Sequence, residues 1–233
     1  MNNTNKFLKT LQERRQMAFF FDMDGTLINS MTYHSRAWTA IMQSIGIDFD
    51  IKDCYLEEGR TGHELLKNFV KKYLKKDLTE AELQQLYSEK SKLFDHIQKV
   101  QPIEHVCDVL QFIRNELQAQ LWVVTGSGLE DLWERLNGYF PDVFGKDKII
   151  CAYDIKQGKP APDPYLTAWE RSGLPKENCC VVENAPLGVL SGKRAGLFTV
   201  AVNTGILENH YFEEAGADVI FPSMEEFLAF LQQ

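Results

Sequence analysis

The stretch FFFDMDGTLINS, residues 19–30, brings three consecutive aromatic residues directly up to two aspartates that stand one residue apart. A continuous apolar run that ends in charge is typical of a strand covered on both faces, as in a parallel sheet. Asp22 and Asp24 would then lie at the carboxyl end of that strand, where open α/β sheets bind their ligands. The alternative is that the two aspartates only cap a turn.

Five further segments have the character of buried strands, because they are short, largely apolar and rich in β-branched residues. They are LWVVT (121–125), KIICA (148–152), CCVVE (179–183), FTVAV (198–202) and ADVIF (217–221). Segments of helical length lie between them, such as PDPYLTAWERSG, in which Pro164 suits the first turn of a helix. This alternation predicts an α/β fold with a doubly wound parallel sheet.

Residues 30–101 interrupt that alternation and have helical patterns throughout. Their last helical segment begins at Thr79 with Glu82 three residues later, which is the signature of a capping box. We therefore predict a bundle of helices inserted directly after the first strand. The predicted division of the chain is a leader at 1–17, an inserted helical domain at 30–101, and a core domain formed by 18–29 and 102–233.

Composition restricts the class of protein. Hydrophobic residues make up 44% of the 233 residues and charged residues 25%, as in soluble globular proteins. The formal net charge of -8 argues against nucleic acid or an anionic membrane as the main partner. No run approaches the roughly 18 apolar residues of a membrane span. Residues 1–17 lack the apolar segment of a secretory signal, so we expect a polar leader or short helix and a cytoplasmic location.

The cysteines and histidines give no sign of a zinc site. The five cysteines are odd in number and follow no metal-ligand spacing, and the five histidines are scattered. We expect all five cysteines to be reduced and buried.

Five polar features fall at or just beyond the predicted strand ends. Each has an ordinary explanation by itself, such as a glycine turn, a solvated loop lysine or the start of a loop. Together, and in this chain order, they point to a ligand site at one edge of the sheet. They are Asp22-Met-Asp24, the TGSG turn at 125–128, the segment from Asp154 to Lys159, Glu183-Asn184, and Asn203-Thr204-Gly205.

The motifs DMDGTL, VVTGS, GKPAPDPY and VVENAPLGVLSGKRAG resemble the four motifs of the haloacid dehalogenase-like (HAD) phosphohydrolases, over nearly the whole chain from Ala18 onward. The insertion, with YHSRAW near its start, resembles the helical cap of the β-phosphoglucomutase-like subfamily. The combination of SMTYHSRAW, EGRTG, YSEK, ENAPLGV and AVNTG is most similar to the inorganic pyrophosphatase branch of bacteria. The resemblance implies a Rossmann-like HAD core, a helical cap and a Mg²⁺-dependent phosphohydrolase.

The resemblance also implies the catalytic roles. Asp22 would attack the phosphoryl group and form an aspartyl-phosphate, while Asp24 would protonate the leaving group and later deprotonate the attacking water. One carboxylate cannot do both, since a nucleophile must be ionised and an acid must hold a proton. Lys159 would neutralise the charge shared by Asp22 and the transferring group.

Substrate and metal ligands are implied in the same way. Thr125, Gly126 and Ser127 would donate hydroxyl and backbone N–H groups to the phosphoryl oxygens. The Mg²⁺ ligands would be the Asp22 carboxylate, the Asp24 backbone carbonyl, Glu183 and Asn184. Many relatives have a second acid where this chain has Asn184, so weaker metal binding is expected.

Four polar residues of the cap are implied to face the substrate: His34, Glu58, Arg60 and Lys90. The alternative for each is a solvated helix or loop side chain. Glu58 is informative because an acid repels an anionic substrate unless a metal lies between them. It could bind Mg²⁺ when the cap closes, and its bulk would exclude large leaving groups. That arrangement would suit pyrophosphate, the substrate we expect.

The alternative enzymes are a β-phosphoglucomutase and a sugar-phosphate phosphatase. A mutase would need a second phosphate site in its cap, which Arg60 could supply. A phospho-receiver signalling domain is a remote alternative, because such domains are about half this length and have no insertion. As partners we expect a small phosphorylated substrate and neither nucleic acid nor membrane, and we expect a monomer.

Overall fold

Six parallel strands form the central sheet of the computed structural model, which describes residues 3–13, 16–128 and 132–233. Their order across the sheet is β3-β2-β1-β4-β5-β6, with the aspartate-bearing β1 in the middle. All six lie where the sequence predicts a strand. They are β1 (Ala18–Phe21), β2 (Gln120–Val124), β3 (Ile149–Ile150), β4 (Cys179–Glu183), β5 (Phe198–Val202) and β6 (Val219–Phe221).

Helices flank the sheet and form the insertion. The described α-helices are α1 (Asn3–Gln12), α2 (Met31–Ser44), α3 (Ile51–Leu56), α4 (Gly62–Leu74), α5 (Glu80–Ile97), α6 (Val106–Asn115), α7 (Leu132–Tyr139), α8 (Asp163–Ser172), α9 (Pro186–Arg194), α10 (His210–Glu214) and α11 (Met224–Leu231).

Both faces of β1 are buried, as its unbroken apolar sequence predicts. Phe19 and Phe21 pack into a cluster with residues of α1, α6 and α11. Ala18 and Phe20 point the other way and pack with Tyr165 of α8. Since side chains alternate along a strand, only a sheet covered on both sides accommodates such a run. The fold is therefore the doubly wound, Rossmann-like α/β fold that the sequence predicts.

The inserted helices α2 to α5 lie between β1 and α6 in the sequence, and they pack on one another. The predicted capping box of α5 is present: the Thr79 side chain accepts from the Glu82 backbone N–H, and the Glu82 side chain accepts from Thr79. The two chain segments that enter and leave the insertion lie side by side. Asn29 N–H donates to the Gln101 carbonyl at 2.8 Å, and Ile28 pairs with Pro102 in an antiparallel bridge.

Residues 3–12 of the predicted leader form helix α1, which packs on the core. In α1, Phe7 is 2% exposed, and its ring stacks on Phe198 of β5 with centroids 4.2 Å apart. Leu11, one helical turn further on, is also buried. The sequence allowed a short helix here, and α1 shares the core cluster with the sheet.

The prediction that all five cysteines are buried is wrong for Cys107, which is exposed on α6, and Cys151 is half-buried. Cys54, Cys179 and Cys180 are buried, and all five are free thiols. Among the described helices, none has the length and apolar character needed to cross a membrane.

Candidate active site

Most of the predicted site residues line one cavity of about 180 Å³ between the carboxyl ends of the strands and the inserted helices. The core contributes Asp22, Asp24, Thr125, Gly126 and Ser127, and the insertion contributes His34, Glu58, Arg60 and Lys90. Three further predicted residues do not line the cavity and are buried beneath it: Lys159, Glu183 and Asn184.

Parts of two of the five polar features at strand ends lie away from this cavity. Asp154 forms an ion pair with Arg171 of α8 at 2.7 Å. Thr204 donates its hydroxyl proton to the Gly25 carbonyl at 2.5 Å, so it holds the turn that follows the two aspartates.

Lys159 is the centre of the charge arrangement beneath the cavity. Its side chain is 2% exposed, and Nζ lies 2.5 Å from Asp22 Oδ1 and 2.6 Å from Glu183 Oε1. It also donates to the Val124 carbonyl at 3.2 Å. A buried ammonium with two carboxylate partners stays charged, and the pKa of Lys159 is raised despite its burial.

Glu183 is held by donors on both carboxylate oxygens. Oε1 accepts from Lys159 and from the Tyr165 hydroxyl at 2.6 Å, while Oε2 accepts from the backbone N–H groups of Asn184 and Ala185. Gly188 makes room for this carboxylate, because a Cβ there would stand 1.9 Å from Oε1. Tyr165 is not among the site residues that the sequence predicts.

Asp24 lies in a chain of polar side chains that reaches into the insertion. Its Oδ1 accepts from the Ser30 hydroxyl at 2.5 Å and lies 3.5 Å from His34 Nε2. On the far side of the imidazole, Lys90 Nζ lies 2.6 Å from His34 Nδ1. A charged Lys90 can only donate, so Nδ1 accepts and the proton of a neutral imidazole sits on Nε2, facing Asp24.

Burial and neighbouring charges set the protonation of this chain of groups. Burial alone would raise the pKa of Asp24, but the hydrogen bonds from His34 and Ser30 bring it below its usual value. Burial and the charge of Lys90 lower the pKa of His34. Burial lowers the pKa of Lys90 to about 8. Lys90 is only 6% exposed, so the alternative of a solvated lysine is wrong.

A backbone N–H group of the turn after β2 donates a hydrogen bond to the threonine of the same turn. Thr125 is buried, and its Oγ1 accepts from the Ser127 backbone N–H at 3.1 Å. Because Oγ1 accepts this bond, the hydroxyl proton of Thr125 can still be donated to a ligand in the cavity. The Ser127 N–H is thus engaged within the turn, which differs from the predicted donor role. A Cβ on Gly126 would contact the Gly59 carbonyl of the insertion at 3.4 Å, so the two loops meet here.

Glu58 reaches from the insertion to the core through Asn184. The Asn184 amide N–H₂ donates to Glu58 Oε1 at 3.0 Å, and its oxygen accepts from the Thr26 hydroxyl at 2.8 Å. Burial and the negative charge of Asp22 raise the pKa of Glu58 well above its usual value. Gly25 is required in the adjoining turn: its φ is +80°, and a Cβ would stand 2.1 Å from Asn184 Nδ2.

Arg60 lines the cavity and forms an ion pair with a neighbouring carboxylate. Its guanidinium binds the Glu57 carboxylate, which also accepts from Asn68 Nδ2 at 3.1 Å. Glu57 was not singled out by the sequence, although it follows Leu56 directly at the end of α3. An arginine fixed in this way is weakened as a second phosphate site, which a mutase would need.

The oxygen-rich character of the site fits a hard divalent cation. Acidic side chains outnumber the two buried lysines, since Asp22, Asp24, Glu58 and Glu183 all lie in or beneath the cavity. Burial raises the pKa of Asp22 to about 8 even though Lys159 acts to lower it, so a further positive charge would favour the ionised form.

No three acid, histidine or cysteine side chains of the described chain converge on one metal-binding point. The fit therefore depends on other oxygens as well. The Asn184 oxygen has a second lone pair besides the one that accepts from Thr26. Carboxylate and amide oxygens, with a backbone carbonyl, are the ligands that Mg²⁺ prefers.

The family profile of haloacid dehalogenase-like hydrolases matches residues 16–196, which is more than half of the chain. The chain is a haloacid dehalogenase-like hydrolase. Among HAD hydrolases of known structure, a provisionally assigned β-phosphoglucomutase from Bacteroides vulgatus superposes with a TM-score of 0.88. It is 36% identical, and the match covers 99% of this chain and 96% of that one.

Two curated HAD relatives act on organic phosphates, according to their names. Validoxylamine A 7'-phosphate phosphatase of Streptomyces hygroscopicus subsp. limoneus is 30% identical, over 88% of this chain and 93% of that protein. Hexitol phosphatase A of Escherichia coli (strain K12) is 29% identical, over 81% and 84%. These likenesses identify a HAD enzyme of the phosphatase and β-phosphoglucomutase-like type. They do not single out the pyrophosphatase branch.

Proposed function

We propose that this HAD hydrolase is a Mg²⁺-dependent phosphatase of small phosphorylated sugars or polyols. The observation that carries the proposal is the placement of Asp22 and Asp24 on one cavity, with Lys159 bonded to the first and His34 close to the second. The two carboxylates have different partners and therefore suit different roles. The names of the relatives support an organic leaving group.

In the first step of the proposed reaction, an Asp22 oxygen forms a bond to phosphorus as the bond to the leaving oxygen breaks. The leaving oxygen takes a proton from Asp24. Because the hydrogen bonds from His34 and Ser30 lower the pKa of Asp24, this step requires the negative charge of the bound phosphate to raise that pKa and bring a proton onto the carboxylate first. Lys159 holds Asp22 in line and offsets its charge. The Thr125 hydroxyl donates to a phosphoryl oxygen. Bound Mg²⁺, held by Asp22, the Asp24 carbonyl and Asn184, would supply further neutralisation of the phosphoryl charge. Glu183 differs from its predicted role as a direct ligand, because Lys159, Tyr165 and two backbone N–H groups already occupy its carboxylate oxygens.

In the second step, Asp24 takes a proton from a water molecule as that water attacks phosphorus. The bond between phosphorus and the Asp22 oxygen breaks, which releases inorganic phosphate and restores the carboxylate. His34 and Lys90 hold Asp24 in position on the cavity side, and Ser30 does so from below. No atom is gained or lost beyond the water consumed.

The wall of the cavity supports an organic leaving group. Four aromatic side chains line it beside the charged groups: Trp38, Tyr87, Phe94 and Tyr139. His34 stacks on Phe94, and Lys90 lies over Trp38, so Tyr87 and Tyr139 are the two rings left to contact a substrate. Aromatic faces contact the C–H faces of a sugar or polyol, whereas pyrophosphate has no apolar surface to bury.

Pyrophosphate is the second candidate, and Glu58 is the observation in its favour. This acid is 8% exposed and lies on Asn184, where it occupies volume beside the reacting carboxylates. If the Glu58 carboxylate reached a metal ion when the insertion closes over the core, closure would be coupled to the reaction. The same side chain would also restrict the size of the leaving group.

We expect Glu58→Ala to separate the two substrates. It should lower kcat/KM for pyrophosphate by on the order of 10²-fold, about 2.7 kcal/mol of transition-state stabilisation. Small organic phosphates should lose less, because the variant gives them space. Glu58→Gln is the matched control, since it keeps the side-chain volume while removing the charge. An equal loss for both substrates would contradict a selective role for Glu58.

The proposed function is tested by phosphate release from hexose phosphates, hexitol phosphates, glycerol phosphate and pyrophosphate, with Mg²⁺ and after chelation. We expect the organic phosphates to give the higher kcat/KM, and chelation to remove at least about 99% of the activity, as the ligand set implies. A preference for pyrophosphate would replace the first candidate by the second. Full turnover after exhaustive chelation would refute the metal requirement.

A further inference from the structure

Gly62 and Tyr87 form a contact on the insertion side of the cavity that the reaction itself does not use. Gly62 is the first residue of α4, and a Cβ built on it would stand 2.0 Å from Tyr87 Cε2 and 2.5 Å from Cδ2. The backbone does not require glycine here, since Gly62 is not among the residues with positive φ. The lack of a side chain at Gly62 leaves the space that the Tyr87 ring occupies.

The Tyr87 ring is held in place from two sides. Its edge lies against the Gly62 backbone, and the imidazole of His63 packs on it at 5.1 Å between centroids with an interplanar angle of 73°. The ring is 36% exposed, so it stands at the rim of the cavity rather than at its floor. A ring seated in this way forms a wall.

The position of Tyr87 along α5 places this wall next to the catalytic groups. Residues 87, 90 and 94 follow a spacing of three and four and so share one face of the helix. All three line the cavity. Lys90, in the middle of this row, contacts His34, which in turn lies beside Asp24. Since Asp24 serves the leaving oxygen, the wall formed by Tyr87 lies on the leaving-group side.

We infer that Tyr87, seated on Gly62, limits the size of the leaving group that the cavity admits. The inference rests on the proposed phosphatase activity for its assay, but it concerns the cavity wall alone. In a packed site, a rigid ring at the rim leaves a long polyol or sugar chain no room beside α4.

The test uses primary phosphates of rising length, from glycerol phosphate through pentose and hexose phosphates to a heptose phosphate. Tyr87→Ala should raise kcat/KM for the longest substrates about tenfold relative to glycerol phosphate, within the range that a pocket of changed size gives. Tyr87→Phe is the matched control, because it keeps the ring and should keep the wild-type length profile. A Tyr87→Ala profile that is unchanged, or that favours short substrates further, would overturn the inference.

Gly62→Ala provides a second measurement. Alone it should alter the length profile, because the new methyl group displaces the ring. In the Tyr87→Ala background it should have no further effect, since there is no ring to displace. Equal effects of Gly62→Ala in both backgrounds would overturn the inference, because coupling is expected only between residues in contact.

The two proposals fail separately. If the wild type cleaves only pyrophosphate, the sugar-phosphate proposal fails, and the wall is still tested by whether Tyr87→Ala acquires turnover of organic phosphates. If the wild type cleaves sugar phosphates and its length profile ignores Tyr87, only the inference about the wall fails.

Discussion

Asp22→Asn is expected to lower kcat by on the order of 10⁴-fold, about 5.4 kcal/mol in the barrier. An amide oxygen is a poor nucleophile, and no aspartyl-phosphate can form on it. The substitution keeps the side-chain shape, so the fold should persist and circular dichroism should match that of the wild type. Steady-state phosphate release by a cleanly purified variant measures the effect. Retention of more than about 3% of the wild-type kcat would mean that Asp22 is not the nucleophile.

A second measurement on Asp22 follows the intermediate itself. Rapid acid quenching of the wild type with ³²P-labelled substrate should give label bound to the protein, and Asp22→Asn should give none. Asp24→Asn is the informative comparison, because it leaves the nucleophile intact and removes the proton donor. Label retained on Asp22→Asn would place the covalent step on a different side chain.

The second large effect is expected for Lys159→Met, on stability as well as on activity. The ammonium lies between two buried carboxylates, those of Asp22 and Glu183. Its removal leaves these charges facing each other without a cation. Loss of one partner of a buried ion pair typically costs about 3–5 kcal/mol. We expect a decrease of that size in the free energy of unfolding of the metal-free protein, measured by urea denaturation, and a loss of kcat of about 10³-fold.

Two further variants check the cause of this effect. Glu183→Gln combined with Lys159→Met should recover part of the lost stability, because one of the two repelling charges is gone, and it should not recover activity. Lys156→Met is the matched control, since this lysine lies on the same loop and is exposed. A stable Lys159→Met protein would show that the buried carboxylates do not depend on their cation.

The sheet and the position of the two aspartates could be predicted because both depend on short-range patterns. The run before Asp22 has no polar residue, so it must be buried on both faces, and the residues that follow it must emerge at the carboxyl end. The same reasoning places Thr125 and Glu183 at the ends of their strands. The start of α5 was predicted at Thr79 because its capping box lies within four residues.

The partners of these residues could not be predicted, because they depend on side-chain contacts between distant parts of the chain. Tyr165 meets Glu183 only because α8 packs beside β4's end, and Asn184 meets Glu58 across 126 residues of sequence. The packing of Phe7 on Phe198 also spans almost the whole chain. A polar segment with an occasional aromatic residue gives no indication of which surface that residue covers.

The paired segments at the base of the insertion have a consequence for how this enzyme could be re-engineered. Asn29 and Gln101 are hydrogen-bonded neighbours, and Ile103 N–H donates to the Leu27 carbonyl at 2.9 Å. The inserted helical segment therefore begins and ends at the same place on the core. Insertions with adjacent ends are tolerated because the host need not rearrange. The helices between these segments could therefore be exchanged for those of another family member, which would transplant substrate choice while the sheet and its aspartates stay in register.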